Sequence, residues 1–323
     1  LSPPFQLPDV DCIVVNRDGG EALFAALRSV EAQQGIDLSI LIVDNASRPD
    51  ERERIAREFP EARIVSFSEN LGFAGAANEG IVRTRSPFVL LLNNDAVLAA
   101  DYVARLAARL ALDERLAAVQ GLVLTADGSR IDSAGLAWNG RGESVPLFFS
   151  ERPDSAPADV FEVAGVSATA VLYRRDALQR VAPQGEVFDR SFFAYYEDVD
   201  LSLRLARGRW RFACDPAALA RHEGSRTGSR TPWKRAKWIA RNRWKTLFRN
   251  FDRRLLRRNA FALLHADLSH AVSLGWRAPL LLLLTWAPLV FFGRSPAVAA
   301  GAAPLAEWPG QTTAAPPDRR VAG

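Results

Sequence analysis

Methionine is absent from this 323-residue chain and cysteine nearly so, with Cys12 and Cys214 the whole complement. Both cysteines lie in apolar, strand-like runs, which excludes a disulfide framework and fits small buried hydrophobes in a reducing compartment. The opening Leu1-Ser2-Pro3-Pro4 lacks a basic-then-apolar signal, so export is not expected unless residues upstream are missing, and the missing initiator fits a trimmed start. Glycine-rich phosphate loops are missing too: no G-x-G-x-x-G and no G-x-x-x-x-G-K-[ST] follows any strand-like run, which sets aside the dinucleotide fingerprint and the P-loop. The apolar stretch 278–293 falls short of the ~20 residues a spanning helix needs. Pro279 and Pro288 interrupt it, so it is expected to be re-entrant or monotopic, with a short span as the alternative.

What is present suffices for a core: 48% hydrophobic and 24% charged residues. The clearest stretch is Phe88-Val89-Leu90-Leu91-Leu92-Asn93-Asn94-Asp95. A short unbroken apolar run after Pro87 reads as a strand buried on both faces, and burial on both faces requires covering helices, hence an α/β class. Ligands of open α/β sheets bind at the carboxyl edge, where Asp95 falls, so Asp95 is a candidate oxygen ligand for a divalent cation. Alone, the three polar residues would read equally well as a turn or cap. They are not alone. The strands Val10 to Val15, Leu38 to Val43 and Arg63 to Phe67 also end in polar residues, at Asn16, at Asp44-Asn45 and at Ser68-Glu69-Asn70, and helices follow each. This is the layout of a nucleotide-binding half-domain.

A second chemical stretch is Phe192-Phe193-Ala194-Tyr195-Tyr196-Glu197-Asp198-Val199-Asp200. Its acids open an amphipathic helix, where they suit the helix dipole. The aromatics before them add apolar walls that lift a carboxyl toward the range of a general base. His222 follows the strand Trp210 to Cys214 and the stretch Ala218 to Arg221 that leads to it, on the side expected for Asp95.

These residues, in this order, resemble the inverting family-2 glycosyltransferases of GT-A fold, and in particular their bacterial rhamnosyltransferase-like branch. The likeness spans roughly Asp9 to Arg249 and rests on Asn16, Val43-Asp44-Asn45-Ala46-Ser47, Glu69 to Gly75, Leu91 to Asp95, Ala170 to Arg175, Phe192 to Arg204 and His222. It implies a mostly parallel central sheet flanked by helices. Asp44 would bind the nucleobase beside the Asn16 loop, with Asn45, Asn70, Gly72, Phe73, Asn78 and Asn94 around the donor. Asp95 and His222 would hold Mg²⁺ or Mn²⁺ on the nucleotide diphosphate, and Asp198 would be the base, with Glu197 the second choice. The chain departs from the family at the metal motif, commonly Asp-x-Asp and in this branch often Asn-Pro-Asp; here Asn93-Asn94-Asp95 stands.

The net charge of +4 conceals an asymmetry. Arg230 to Arg258 holds twelve basic residues against Asp252 alone, a net +11 that leaves −7 for the remainder. On a helix from Trp233, the residues Trp233, Ala236, Ala240, Trp244, Leu247, Phe251 and Leu255 form one apolar face, the pattern of an in-plane helix on an anionic membrane. The alternative is the same helix packed on the catalytic domain with a solvated basic face. The expected organisation is a catalytic domain over 1–228, with a donor half near 9–125 and an acceptor half near 126–228. A membrane-associating region over 229–294 and a disordered tail over 295–323 would follow. The expected activity is transfer from a nucleotide sugar, dTDP-L-rhamnose being favoured by resemblance only, to a lipid-linked saccharide in bacterial envelope polysaccharide synthesis. It would take place at the inner face of the plasma membrane, with no nucleic-acid partner; the oligomeric state is not encoded legibly. A sugar nucleotidyltransferase would need a basic glycine-rich loop where Asn16-Arg17-Asp18-Gly19-Gly20 stands. A non-catalytic saccharide- or nucleic-acid-binding module would bind without turnover.

Overall fold

A computed structural model describes residues 7–224, 232–273 and 305–309. The first half alternates strand and helix: β1 (Val10–Asn16), α1 (Glu21–Glu31), β2 (Leu38–Asn45), α2 (Pro49–Glu58), β3 (Arg63–Phe67), α3 (Gly72–Val82) and β4 (Phe88–Asn93). Next come β5 (Ala96–Leu98), α4 (Tyr102–Leu112), β6 (Leu116–Thr125), β7 (Ile131–Ser133), β8 (Leu136–Trp138), β9 (Ser144–Pro146) and β10 (Phe161–Val163). β11 (Ala170–Arg174), α5 (Arg175–Val181), α6 (Glu197–Arg207) and β12 (Arg211–His222) follow. After them come α7 (Pro232–Asn250), α8 (Arg253–Arg258) and α9 (Ala260–Ser273).

The main sheet runs β10-β12-β6-β11-β4-β1-β2-β3. β3, β2, β1 and β4 are mutually parallel, and β12 is parallel to β6. β11 enters antiparallel between β4 and β6. Alternation along the strands divides the core. Cys12, Val14, Leu90 and Leu92 pack with Leu23, Leu27 and Leu106 of α1 and α4. Ile13, Val89 and Leu91 face the other way, onto Ala77, Leu178 and Leu201 of α3, α5 and α6. Side chains alternate along a pleated strand, so a strand apolar at every position needs a helix on each side. Both cysteines are buried and free, and burial raises both thiols above their ordinary range.

β12 is one strand of 12 residues, running on through the stretch Ala218 to Arg221 where the sequence marks a strand only over Trp210 to Cys214. Its register against β6 shifts between Asp215 and Leu219. Pro216 has no N–H to give the ladder, and a bulge accommodates it without ending the strand.

The C-terminal helices correct the sequence reading. The apolar stripe of α7, expected to meet lipid, meets protein. Trp244, Leu247, Phe251 and Leu255 are buried with Trp138 of β8 and with Val199 and Leu203 of α6. Lipid offers apolar contact at one face only, whereas this groove covers the stripe and satisfies its polar atoms. The Trp244 indole N–H donates to Asp267 at 2.5 Å, and Arg243, 1% exposed, pairs with the same carboxylate at 2.7 Å. The helix stops at Asn250, so Phe251 and Leu255 of the expected stripe lie beyond it, and Asp252 caps α8. Residues 305–309, expected to be disordered, return to this core. Trp308 stacks on Trp138 with ring centroids 5.7 Å apart and lies 4.6 Å from Phe251. The apolar stretch 278–293 lies outside the described residues. No helix among the described residues is long and apolar enough to cross a membrane.

Candidate active site

The carboxyl ends of β1, β2 and β4 define one edge. Asp44, fully buried at the end of β2, accepts from the Ser47 amide at 3.2 Å through Oδ1. Its Oδ2 makes no hydrogen bond, the nearest cation being the Arg52 guanidinium at 3.7 Å. A buried acceptor without a donor is costly unless a ligand completes it. Beside it, Asn45 donates to Asn70 Oδ1 and to the Gly72 carbonyl and accepts from the Leu71 amide, fixing the loop that opens α3. Gly72 has φ +71°, and a Cβ there would stand 2.4 Å from the Phe193 carbonyl oxygen, so only glycine fits.

Two of the expected donor residues act as struts. Asn16 donates to Ser47 Oγ and to Glu51, and accepts from Asn94 Nδ2 at 2.8 Å; its amide is fully engaged, and it fixes Asn94 next to Asp95. Asn78, 1% exposed, pairs both amide atoms with the Phe188 backbone, and Phe73 packs edge-on against the Phe188 ring. Asn78 therefore braces the segment leading to Asp198 and offers no free polar atom. Glu51, which sequence reasoning missed, accepts from the Gly19 and Gly20 amides at 3.0 and 2.9 Å. A carboxylate thus occupies the backbone donors that a phosphate-binding loop would require, against the nucleotidyltransferase reading.

At the next strand end, β5 and β12 pair antiparallel with Ala96 opposite His222, and the Glu223 amide donates to the Asp95 carbonyl. The pairing brings His222 Nε2 to 3.1 Å from Asp95 Oδ1. Nε2 nevertheless makes no directed hydrogen bond. Two ligands at about 2.1 Å and a right angle around one Mg²⁺ lie about 3 Å apart, so the pair has the separation of adjacent ligand atoms. The other ring nitrogen, Nδ1, bonds Asp132 at 2.9 Å. A carboxylate behind a histidine fixes its orientation and basicity as a metal ligand. Burial alone would lower the His222 pKa, but Asp132 and Asp95 outweigh it and the imidazole is pushed up to about 9. Among the described residues no three His, Cys, Asp or Glu groups converge as a metal cage. Two protein ligands plus diphosphate oxygens is the usual arrangement for Mg²⁺ on a nucleotide. The residues present fit a divalent cation shared with a bound diphosphate.

The third part is the start of α6. The Asp198 carboxylate accepts from the Ala168 amide at 3.2 Å and from Val199 at 2.8 Å. Asn93 donates its amide to the Thr169 carbonyl, so the anchor of Asp198 adjoins the end of β4 that leads to Asp95. Burial raises both Asp198 and Glu197; in Asp198 the backbone donors oppose the rise, and Glu197 is driven well up, with Oε2 unpartnered. The buried Tyr173 hydroxyl, also unpartnered, is pushed up by burial and by these two acids. The two neighbouring acids thus differ in surroundings: Asp198 is held by backbone donors and Glu197 has an unpartnered oxygen.

The segment before α6 is held against backbone preference. Phe193, Tyr195 and Tyr196 all have φ between +68° and +70°. Such conformations persist where surroundings impose them. Here α7 imposes them: the Asn242 amide donates to the carbonyls of Phe192, Ala194 and Tyr195 at 2.7 to 2.9 Å, and Arg241 donates to Ser191 and Phe192. Lys245 and Arg249 pair with Asp189. Burial would raise the Asp189 pKa, but Ser191 and the two cations hold it well below the carboxylate range.

The parallel half-sheet, the antiparallel β11 and the helices on both faces make this a GT-A fold, with an acid–histidine pair at its carboxyl edge and two adjacent acids at the start of α6. The profile of "Glycosyl transferase family 2" matches residues 11–182, and the chain belongs to that family. It is 24% identical over 242 residues to the N-acetylglucosaminyl-diphospho-decaprenol L-rhamnosyltransferase of Mycobacterium tuberculosis, covering 68% of this chain and 78% of the relative. Among solved structures it resembles the Pyrobaculum calidifontis mannosyltransferase PcManGT in complex with GDP-Man and Mn²⁺ (TM-score 0.57, 19% identity, 92% of this chain and 79% of that one). It also resembles GalNAc-T7 with UDP, GalNAc and Mn²⁺ (TM-score 0.61, 13% identity, 77% of this chain), where it spans 49% of the other chain. Both likenesses concern the fold.

Proposed function

We propose that the protein is a metal-dependent, inverting glycosyltransferase that moves a sugar, L-rhamnose from dTDP-L-rhamnose being favoured, to a saccharide linked through diphosphate to a lipid. The observation that carries this reading is the 3.1 Å Asp95–His222 pair, backed by Asp132, on the same sheet edge as Asp44 with its unpartnered Oδ2, and near the start of α6 with its raised Asp198. Asp44 Oδ2 accepts a hydrogen bond from the base, and the Asn70–Phe73 loop lines the donor. Asp95 and His222 would hold Mg²⁺ or Mn²⁺, which when bound would supply neutralising charge to the leaving diphosphate. Asp198 takes the proton of the acceptor hydroxyl as its oxygen bonds to the anomeric carbon from the face opposite the diphosphate. The bond from that carbon to the diphosphate breaks, and the nucleoside diphosphate leaves. One carboxylate suffices for this single displacement, so the anomeric configuration inverts. The rhamnose preference and the lipid diphosphate rest on the mycobacterial relative.

The same reading places the protein on the inner face of the bacterial plasma membrane, in envelope polysaccharide synthesis. Support comes from a surface other than the expected stripe: Phe261, Leu264 and Leu268 stand exposed along one side of α9, after the exposed Arg253, Arg254, Arg257 and Arg258 of α8. Apolar side chains flanked by cations are suited to an anionic leaflet.

The test is binding and slow hydrolysis of dTDP-, UDP- and GDP-sugars by the purified chain with Mg²⁺, Mn²⁺ or EDTA. Metal-dependent release of one nucleoside diphosphate is expected. Donor binding indifferent to EDTA would remove Asp95 and His222 from a metal role, and absence of any turnover would remove the transferase reading.

A further inference from the structure

Three half-buried aromatic rings gather beside the donor loop, on and against the segment that leads to the candidate base. Phe193 and Tyr195 come from the positive-φ segment, and Trp238 comes from α7. Trp238 lies 5.0 Å from Phe193 and 6.4 Å from Tyr195 between centroids, with interplanar angles of 35° and 30°. Phe193 abuts the donor side, since its ring would stand 2.7 Å from a Cβ on Gly72 and its carbonyl accepts from the Ala74 amide. Tyr195 lies three residues before Asp198. The exposed Arg235, nearly one turn before Trp238, places its guanidinium carbon 5.6 Å from the Tyr195 ring centroid. Holding the loop does not require these rings, because Asn242 and Arg241 already bond its carbonyls.

Resting on the transferase reading above, we propose that Phe193, Tyr195 and Trp238 form an acceptor subsite for a glycosyl diphosphate. The rings stack on the C–H face of its sugar, and Arg235 meets its phosphate. Pyranose C–H bonds carry slight positive charge, which the electron-rich ring face attracts. A guanidinium binds phosphate in a fork of parallel hydrogen bonds. A saccharide seated there lies between Gly72 of the donor loop and Asp198. The catalytic body alone does not complete this subsite; α7 supplies one wall.

The experiment uses the full chain with N-acetylglucosaminyl diphosphate carrying a farnesyl chain, and with N-acetylglucosamine and farnesyl diphosphate separately. Irradiating aromatic protons is expected to transfer saturation to the sugar ring protons of the first probe in the unaltered chain and in Trp238→Phe, and not in Trp238→Ala. In transfer assays Trp238→Ala is expected to raise the acceptor KM by about tenfold or more while the donor KM moves far less. Arg235→Ala is expected to weaken binding of farnesyl diphosphate and leave that of N-acetylglucosamine. Tyr195→Ala provides a second loss of ring surface should Trp238→Ala melt early. An acceptor KM unchanged in both alanine variants, or donor and acceptor KM rising by one factor, would overturn the subsite. The transferase reading is judged separately, by nucleoside diphosphate release from the unaltered chain. Saturation reaching the sugar without such release would discard that reading and retain the subsite.

Discussion

Asp198 and Glu197 are adjacent in sequence but differ in surroundings. Asp198 takes backbone hydrogen bonds from Ala168 and Val199, while Glu197 has a buried oxygen with no partner. Asp198→Asn is expected to lower kcat by 10²-fold or more while donor binding, measured by titration calorimetry, stays within a few-fold. Equal loss of binding would remove its role as base. The raised pKa of Asp198 sets the sign of the pH dependence. The base works only when deprotonated, so kcat/KM should rise with pH along a limb displaced above the ordinary aspartate range near 3.9, and Asp198→Asn should lose that limb. Asp132 governs a different readout. Asp132→Asn leaves His222 in place but removes the carboxylate on Nδ1, and Mn²⁺ binding by calorimetry should weaken about 10- to 100-fold. Unchanged Mn²⁺ affinity would exclude Asp132 from this role. Asp95 and Asp198 are legible in the sequence because each follows an abrupt change from apolar or aromatic to acidic. Asp132, Glu51 and Asn242 carry no such local signal, because their partners are 90, 32 and 50 residues away.

Among the elements, the strands and helices as far as α6 follow the periodicity closely. Strands buried on both faces and helices with one apolar stripe have few alternatives. α7 shows where periodicity stops informing: a stripe of Trp, Leu and Phe looks alike whether lipid or a protein groove covers it. The polar atoms decide. Arg243 and the Trp244 indole share Asp267, a partner that only the folded chain supplies. Asn242 is the test of α7 as a support for the active site. Asn242→Ala removes three hydrogen bonds to carbonyls of a positive-φ segment and should cost about 1–3 kcal/mol in thermal or urea unfolding. It should also lower kcat more than it changes donor affinity. A loss confined to stability, with kcat intact, would show that the segment keeps its shape without the helix.

Over the whole molecule, charge is segregated, but the basic segment is divided. Arg243 is buried in an ion pair, and Arg241, Lys245 and Arg249 bind the loop before α6. The four arginines of α8 remain exposed, beside the apolar side of α9. Reversing Arg253, Arg254, Arg257 and Arg258 to glutamate should cut co-sedimentation with phosphatidylglycerol vesicles at least tenfold, since each cation near an anionic surface contributes about 1 kcal/mol. Zwitterionic phosphatidylcholine vesicles should show little difference. Binding to anionic vesicles unaffected by the reversals would remove α8 from any membrane role.

The bonds from Asn242 to the loop before α6 also bear on how this enzyme could be recombined with its relatives. A chimera joined between β6 and β7 keeps Asn242, the loop and Asp198 from one parent. A graft that stops at Gly224 leaves the loop from one parent and its clamp from the other. Exchange of specificity should therefore succeed across the first junction and fail across the second. If the proposed acceptor subsite holds, the unit of inheritance for acceptor choice should run through α7, well past the 182nd residue at which the family match ends.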